Sequence, residues 1–148
     1  MKKRFGIVSY NIYCNFTNYG SALQTYALQR IVNEISPEHV EAIVLDYCPD
    51  VLRDKDILNP TKNMWDQDAE LRRQCALSMP AIRMNNEKFN RFYQEQYKLS
   101  SQQYTSENFN DSLINENLYG YICGSDTIWN ISEFIGFDDG YFANYPAM

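Results

Sequence analysis

The run Asn18–Gln29 (NYGSALQTYALQ) constrains this chain more than any other. It follows a short apolar strand pattern at Arg4–Tyr10 and opens directly into an amphipathic helix pattern. A strand, a glycine-containing turn and a helix N-terminus together make a natural seat for an anion. A second unusual run, Gly124-Ser125-Asp126-Thr127-Ile128-Trp129-Asn130, follows a later strand pattern. If both strands are parallel members of one sheet, both runs lie on one edge. That edge is where open α/β folds bind ligands.

The remaining periodicities fit an α/β chain. Ser21–Ile35 reads as a helix, with Leu23, Ala27, Ile31 and Ile35 one turn apart and Leu28 and Val32 widening the stripe. Such a stripe is expected to face the core. Ser36-Pro37 ends the helix. Val40–Tyr47 is nearly continuously apolar, as suits a parallel strand buried on both faces. Strand, helix and strand then form one right-handed βαβ unit. Asn63–Met79, carrying Met64, Leu71, Cys75 and Met79 on one face, and Ala81–Tyr97 read as two helices separated by Pro80. Together they are expected to form a helical insertion, around residues 63–97, packed on the sheet. Phe89, Phe92, Tyr93 and Tyr97 have helical spacing and read as packing. Ser106–Asn115 reads as a short helix with Ser106 as its cap, and Leu118–Cys123 as a third strand. Three strands are few for this much helix. The expectation is therefore one Rossmann-like domain over 1–148 that belongs to a longer two-domain protein. The competing expectation is a short chain that completes its sheet as a homodimer.

Composition removes several function classes. The 148 residues carry a formal net charge of −6, and the only basic cluster is Lys2-Lys3-Arg4. Phosphate neutralisation needs clustered Lys and Arg, so nucleic acid is not an expected partner. No segment approaches the ~18–20 apolar residues of a membrane span. The apolar stretch after the basic cluster is too short for a signal peptide, and a cytoplasmic protein is expected. Cys14, Cys48, Cys75 and Cys123 show no C-x-x-C spacing, which leaves zinc and thioredoxin-type chemistry without support. Cys75 and Cys123 sit in apolar patterns and read as small buried hydrophobes, whereas Cys14 and Cys48 fall beyond strands on the proposed site edge.

The chemistry-bearing residues are those of the two runs. In the first, Gly20 permits close backbone approach, and the amides of Ser21 to Leu23 are expected to point outward for a phosphate, a carboxylate or a sugar hydroxyl. Asn18 or Ser21 serves as cap, and Tyr19 and Gln24 remain as ligand contacts. In the second, Gly124, Ser125 and Asp126 are placed to meet sugar hydroxyls, Asp126 is the candidate general base, and Trp129 either stacks on a sugar face or fills the core. His39, the only histidine, precedes the second strand and belongs to the opposite edge. No Ser-His-Asp set can be assembled from it. Asp46, Asp50, Asp54 and Asp56 match no defined metal loop and read as a solvated acidic loop, so no metal site is expected.

With these runs in place, the chain resembles the N-terminal region of the polysaccharide pyruvyl transferases. The resemblance is carried by FGIVSYNIYCNFTNYG, SALQTYALQ, VLDYCP at Val44–Pro49, KFNRFYQEQYKLS at Lys88–Ser100 and YGYICGSDTIWN at Tyr119–Asn130. It covers essentially the whole chain, in order. One departure is Thr127, where the family commonly has Gln. The resemblance implies the N-terminal half of a glycosyltransferase-B-like fold whose C-terminal domain carries much of the donor site. It implies transfer of the enolpyruvyl group of phosphoenolpyruvate to a sugar of a cell-surface polysaccharide, as a pyruvate ketal. The acceptor would be a sugar or lipid-linked oligosaccharide, with phosphoenolpyruvate as donor substrate and no further cofactor. Asn18, Tyr19, Gly20, Ser21, Gln24, Gly124, Ser125, Asp126, Trp129 and Asn130 would line the cleft. Two alternatives share these features: a nucleotide-sugar-dependent transferase on the same fold, and a non-catalytic sugar-binding or interaction module.

Overall fold

The computed structural model describes residues 3–9, 17–36, 39–50, 67–124, 128–132, 136–146 and 148. Their centre is a four-stranded parallel sheet with strand order β3-β2-β1-β4. Its strands are β1 (Lys3–Val8), β2 (Val40–Cys48), β3 (Leu99–Thr105) and β4 (Leu118–Cys123). β1 is joined to β2 through α1 (Tyr19–Ile35), and β2 to β3 through the long α2 (Ala69–Gln96). A single 3-10 turn, Phe109–Asp111, and the short α3 (Ser112–Asn115) then lead back across the sheet to β4. The chain thus winds outward from β1 on one side and resumes on the other, as in an open α/β fold of the Rossmann type.

Two cores follow from the period-two alternation of the strands. On one face Ile7, Ala42 and Val44 pack with Ala22 of α1 and with Phe89, Tyr93 and Tyr97 from the end of α2 and just beyond it. On the other, Val8, Ile43, Leu45, Tyr47 and Leu118 pack with Phe109, Ile128 and Tyr141. β2 feeds both cores, which is why its sequence reads as unbroken apolar. The segment after β4 holds to the second core through Asp138. Both oxygens of that buried carboxylate accept from the Tyr47 hydroxyl at 3.0 Å. Gly140 lies so close to the Tyr47 ring that an added Cβ would come within 2.6 Å of it. No described helix is long and apolar enough to cross a membrane.

Four expectations need correction. First, the sheet has a further strand, β3. Its sequence LSSQQYT places three exposed residues in its middle and shows no apolar alternation to announce a strand; polar side chains suit its place at the sheet edge. Second, α2 is one helix that runs through Pro80, and it is the crossover to β3 rather than an insertion. Pro80 and Ala76 are both exposed, so water can satisfy the carbonyl that the proline leaves without an amide partner. Asp68 caps α2, accepting from the amides of Glu70 and Leu71. The predicted start near Asn63 lies outside the described residues, as does Met64. Third, Ser106 caps no helix, and the helix there shrinks to α3. The Ser106 Oγ instead accepts from the Asp50 amide at 3.4 Å, and its carbonyl accepts from the Tyr145 hydroxyl at 2.9 Å.

The fourth correction concerns α1: Leu28 and Val32 of its predicted apolar stripe pack against the sheet, but Leu23, Ile31 and Ile35 face away. Leu23 is 58% exposed, Ile31 52% and Ile35 78%, whereas Ser21, Ala22, Thr25 and Gln29 are buried. Two physical reasons favour this face. Small side chains at 21, 22 and 25 let α1 sit close over β1 and β2. In addition, β2 begins before β3 reaches it, so Ala42 has no strand partner on that side. Asn33 Oδ1 accepts from the Ala42 amide at 2.8 Å, and Gln29 Nε2 donates to the Ala42 carbonyl at 3.2 Å. Polar side chains of α1 thus complete the ladder, and leaving those backbone groups unmet would cost more than the exposed apolar area forgoes.

Candidate functional site

Strand order places the change of winding direction between β1 and β4. Ligands in open parallel sheets bind in the crevice at the carboxyl ends of the two strands that flank such a switch. The two predicted runs follow those two strands. The structure brings them close together: a Cβ added to Gly124 would lie 3.9 Å from Gln24 Nε2. The Gly124 amide donates to the Val8 carbonyl at 3.1 Å, extending the β1–β4 ladder by one residue. Gly124 itself sits under α1, where an added Cβ would be 3.0 Å from Leu28. Glycine here is a matter of close approach.

At the start of α1, Asn18 is the cap. Its Oδ1 accepts from the Ser21 amide at 3.2 Å, and its carbonyl from the Ala22 amide at 3.0 Å. The expectation that the amides of Ser21 to Leu23 point free toward an anion is therefore corrected for Ser21 and Ala22. Gly20 stands one residue into the helix and has no positive φ. Tyr19 is exposed; its hydroxyl donates to Asn85 of α2 at 3.0 Å, and its ring lies 4.7 Å from that of Phe89. Ser21 is fully buried and Gln24 half-buried. Ser21 Oγ and Gln24 Oε1 have no hydrogen-bond partner among the described residues.

In the second run, Ser125, Asp126 and Thr127 lie outside the described residues, and the roles assigned to them rest on sequence. Trp129 is 58% exposed, and its indole N–H donates to the Tyr141 carbonyl at 2.8 Å. The core reading of Trp129 is thereby replaced: Ile128 fills the core, and the Trp129 ring stands at the surface, anchored by one edge. Asn130 is at the surface and accepts from the Ser132 amide at 3.1 Å.

Asp46 is a residue whose surroundings sequence reasoning misjudged, although the predicted strand Val40–Tyr47 already held it. It is no part of a solvated loop: it stands within β2, half-buried, and burial pushes its carboxyl up to about 6. Its Oδ1 has no partner among the described residues. The signal was present in the sequence as a lone carboxylate in the apolar run Ala42–Cys48. Asp54 and Asp56 lie outside the described residues. Cys48, at the end of β2, is buried and contacts the Pro49 carbonyl at 3.5 Å; Cys14 lies outside the described residues. Cys75 and Cys123 are half-buried rather than buried, and burial raises the Cys123 thiol. His39 stands at the opposite edge, its carbonyl accepting from the Lys3 amide at 2.6 Å. Among the described residues no group of three or more His, Cys, Asp or Glu is placed to hold a metal.

A separate apolar hollow of about 180 Å³ lies between α1 and α2, lined by Tyr19, Ala22, Leu23, Asn85, Lys88, Phe89 and Phe92. Of the predicted site residues only Tyr19 borders it. The hollow therefore adjoins the switch crevice without containing its polar groups.

Comparison with family models, with curated proteins and with solved structures gave no match.

Proposed function

We propose that this chain supplies the acceptor side of the cleft of a pyruvyl transferase-like enzyme. The reading rests on the sequence resemblance, and one structural observation favours it. Two of the runs that carry the resemblance lie close together at the carboxyl ends of β1 and β4, where α1 packs over Gly124. In the reaction, two sugar hydroxyls add to C2 of phosphoenolpyruvate. The C2–O bond to phosphate breaks, the methylene carbon takes a proton to become a methyl group, and inorganic phosphate leaves with the other hydroxyl proton. The residues of this chain would bind and orient the sugar: Gln24 and Ser21 by hydrogen bonds, and Trp129, whose ring is exposed, by stacking on a sugar face. Asp126 is the proposed base for the attacking hydroxyl. The donor's two anionic groups call for cations that the described part of the crevice does not supply.

The test uses the protein from its complete reading frame, with phosphoenolpyruvate and a panel of lipid-linked sugars. Phosphate release together with a new ketal methyl signal in the proton NMR spectrum is the expected result. Phosphoenolpyruvate left intact across the panel would refute the proposal. If nucleotide sugars, and not phosphoenolpyruvate, raise the melting temperature, the glycosyltransferase alternative takes its place.

A further inference from the structure

α1 presents an apolar face that the fold leaves uncovered. Leu23, Ala27, Ile31 and Ile35 repeat every four residues, and all four are exposed. Tyr19, one step earlier in the same row, is exposed as well. The sheet is met from the other side of the helix, by Ser21, Ala22, Thr25 and Gln29. The chain's own packing therefore does not call for large apolar side chains at 19, 23, 31 and 35. A continuous exposed apolar patch marks an interaction surface. A lipid surface does not fit this one. Helices that lie on membranes carry Lys and Arg beside the apolar face. The one cation of α1, Arg30, is paired with Glu34 at 3.0 Å, and the chain as a whole carries a charge of −6.

The row is symmetric about Ala27. Leu23 and Ile31 stand four steps away on either side, and Tyr19 and Ile35 eight steps away. In an antiparallel pair of α1 helices with a two-fold axis at Ala27, each residue faces the one equally far from Ala27 in the other direction. Leu23 then meets Ile31 of the second copy, and Tyr19 meets its Ile35. Ala27 meets Ala27, and this small residue at the crossing lets the helix axes approach to about 8 Å. The neighbouring positions agree. Arg30 faces Gln24 and Glu34 faces Gly20, so no like charges oppose each other. Glu34 arrives at the first turn of the other helix, which has no acidic residue of its own and where a negative charge is favoured. The hollow of about 180 Å³ bordered by Tyr19 and Leu23 lies where Ile35 and Ile31 of the second copy come in. We infer that the outward face of α1 is the two-fold interface of a homodimer, antiparallel and centred on Ala27. A two-fold contact requires a self-complementary surface, a condition that an unrelated partner does not impose. This dimer joins helix faces rather than completing the sheet, and it is independent of the transfer reaction.

The experiment is sedimentation equilibrium of the protein from its complete reading frame, up to millimolar concentration. A reversible monomer–dimer equilibrium is expected. Leu23→Lys and Ile31→Glu should each raise the dissociation constant by about tenfold or more, because each dimer then covers two unpaired charges. The double variant, Leu23→Lys with Ile31→Glu, should recover most of that loss, since the antiparallel register sets each new lysine against a new glutamate of the other copy. Within one helix the two positions are about 12 Å apart along the axis, too far to pair with each other. A dimer adds stability only once the protein concentration exceeds its dissociation constant. In dilute solution the same substitutions should therefore leave the melting temperature unchanged, which separates a lost contact from a damaged fold. Should Leu23→Lys fold poorly, Ala27→Lys decides the matter by the same measurement, since it sets two ammonium groups against each other at the axis. The inference is overturned by a monomer at every concentration, by a dimer that the single substitutions leave equally tight, or by a double variant no tighter than the weaker single one.

Discussion

Replacing Gln29 by methionine tests how α1 is held to the sheet. Gln29 is 4% exposed. Its Nε2 donates to the carbonyls of Ala42 at 3.2 Å and Lys98 at 2.9 Å, and its Oε1 accepts from the Lys98 amide at 3.1 Å. One side chain thus ties α1 both to β2 and to the junction of α2 with β3. Methionine has nearly the same length and volume, so cavity formation contributes little. Three hydrogen bonds disappear, each with a net worth of about 1 kcal/mol, and the Lys98 amide is left with a desolvation penalty of about 1 kcal/mol or more. The expected destabilisation is about 3–4 kcal/mol. With a urea slope of about 2 kcal/mol/M, the unfolding midpoint should fall by about 1.5–2 M. Ile31→Ser is the matched control: on the outward face of α1 it should change stability by no more than about 0.5 kcal/mol. A midpoint shift under about 0.5 M for Gln29→Met would refute the reasoning. So would a larger loss from Ile31→Ser than from Gln29→Met, because α1 would then present its other face to the sheet.

Asn18→Ala removes the α1 cap and should cost about 1 kcal/mol in urea unfolding; an unchanged midpoint would show that another group meets the Ser21 amide. Gly140→Ala drives a methyl group into the fully buried Tyr47 ring and should destabilise by about 1–3 kcal/mol, with the near-ultraviolet circular dichroism of the tyrosines altered. The carboxyl of Asp46 is raised by burial from 3.8 to about 6, so between those values the native state holds a proton that the unfolded chain has released. Stability from this group is therefore present below about pH 4 and falls as pH rises through 6. Burial raises Asp138 in the same direction, so the comparison is between wild type and Asp46→Asn, whose unfolding midpoint should fall less between pH 4.5 and 7.5. Equal slopes would contradict the assignment.

Much of the frame was legible in the chain. β1, β2 and β4 fall within two residues of their predicted bounds, because each is a short apolar run with turn residues beside it. The parallel arrangement was legible too: only a strand buried on both faces reads like Ala42–Tyr47. The two runs were visible as a strand–turn–helix start and as an unusual polar run after a strand. β3 was not legible, since an edge strand needs no apolar face and LSSQQYT has none. The Asp46 environment was misjudged because neighbouring aspartates in the sequence suggested a loop, whereas the ladder carries Asp46 two residues short of the strand's end.

The sequence by itself determined the α/β class, the order of strand and helix from β1 to β2, a cap at Asn18 or Ser21 and the positions of the two runs. These depend on local period, turn chemistry and capping, which a short stretch of chain encodes. Tertiary structure decided which face of α1 is buried, where β3 lies and which polar groups meet under α1. A helical stripe records how apolar a face is, but not what the neighbouring strand needs. Here Ala42 lacked a strand partner, and Gln29 and Asn33 supplied one, so backbone hydrogen bonding outweighed the apolar area of Leu23, Ile31 and Ile35.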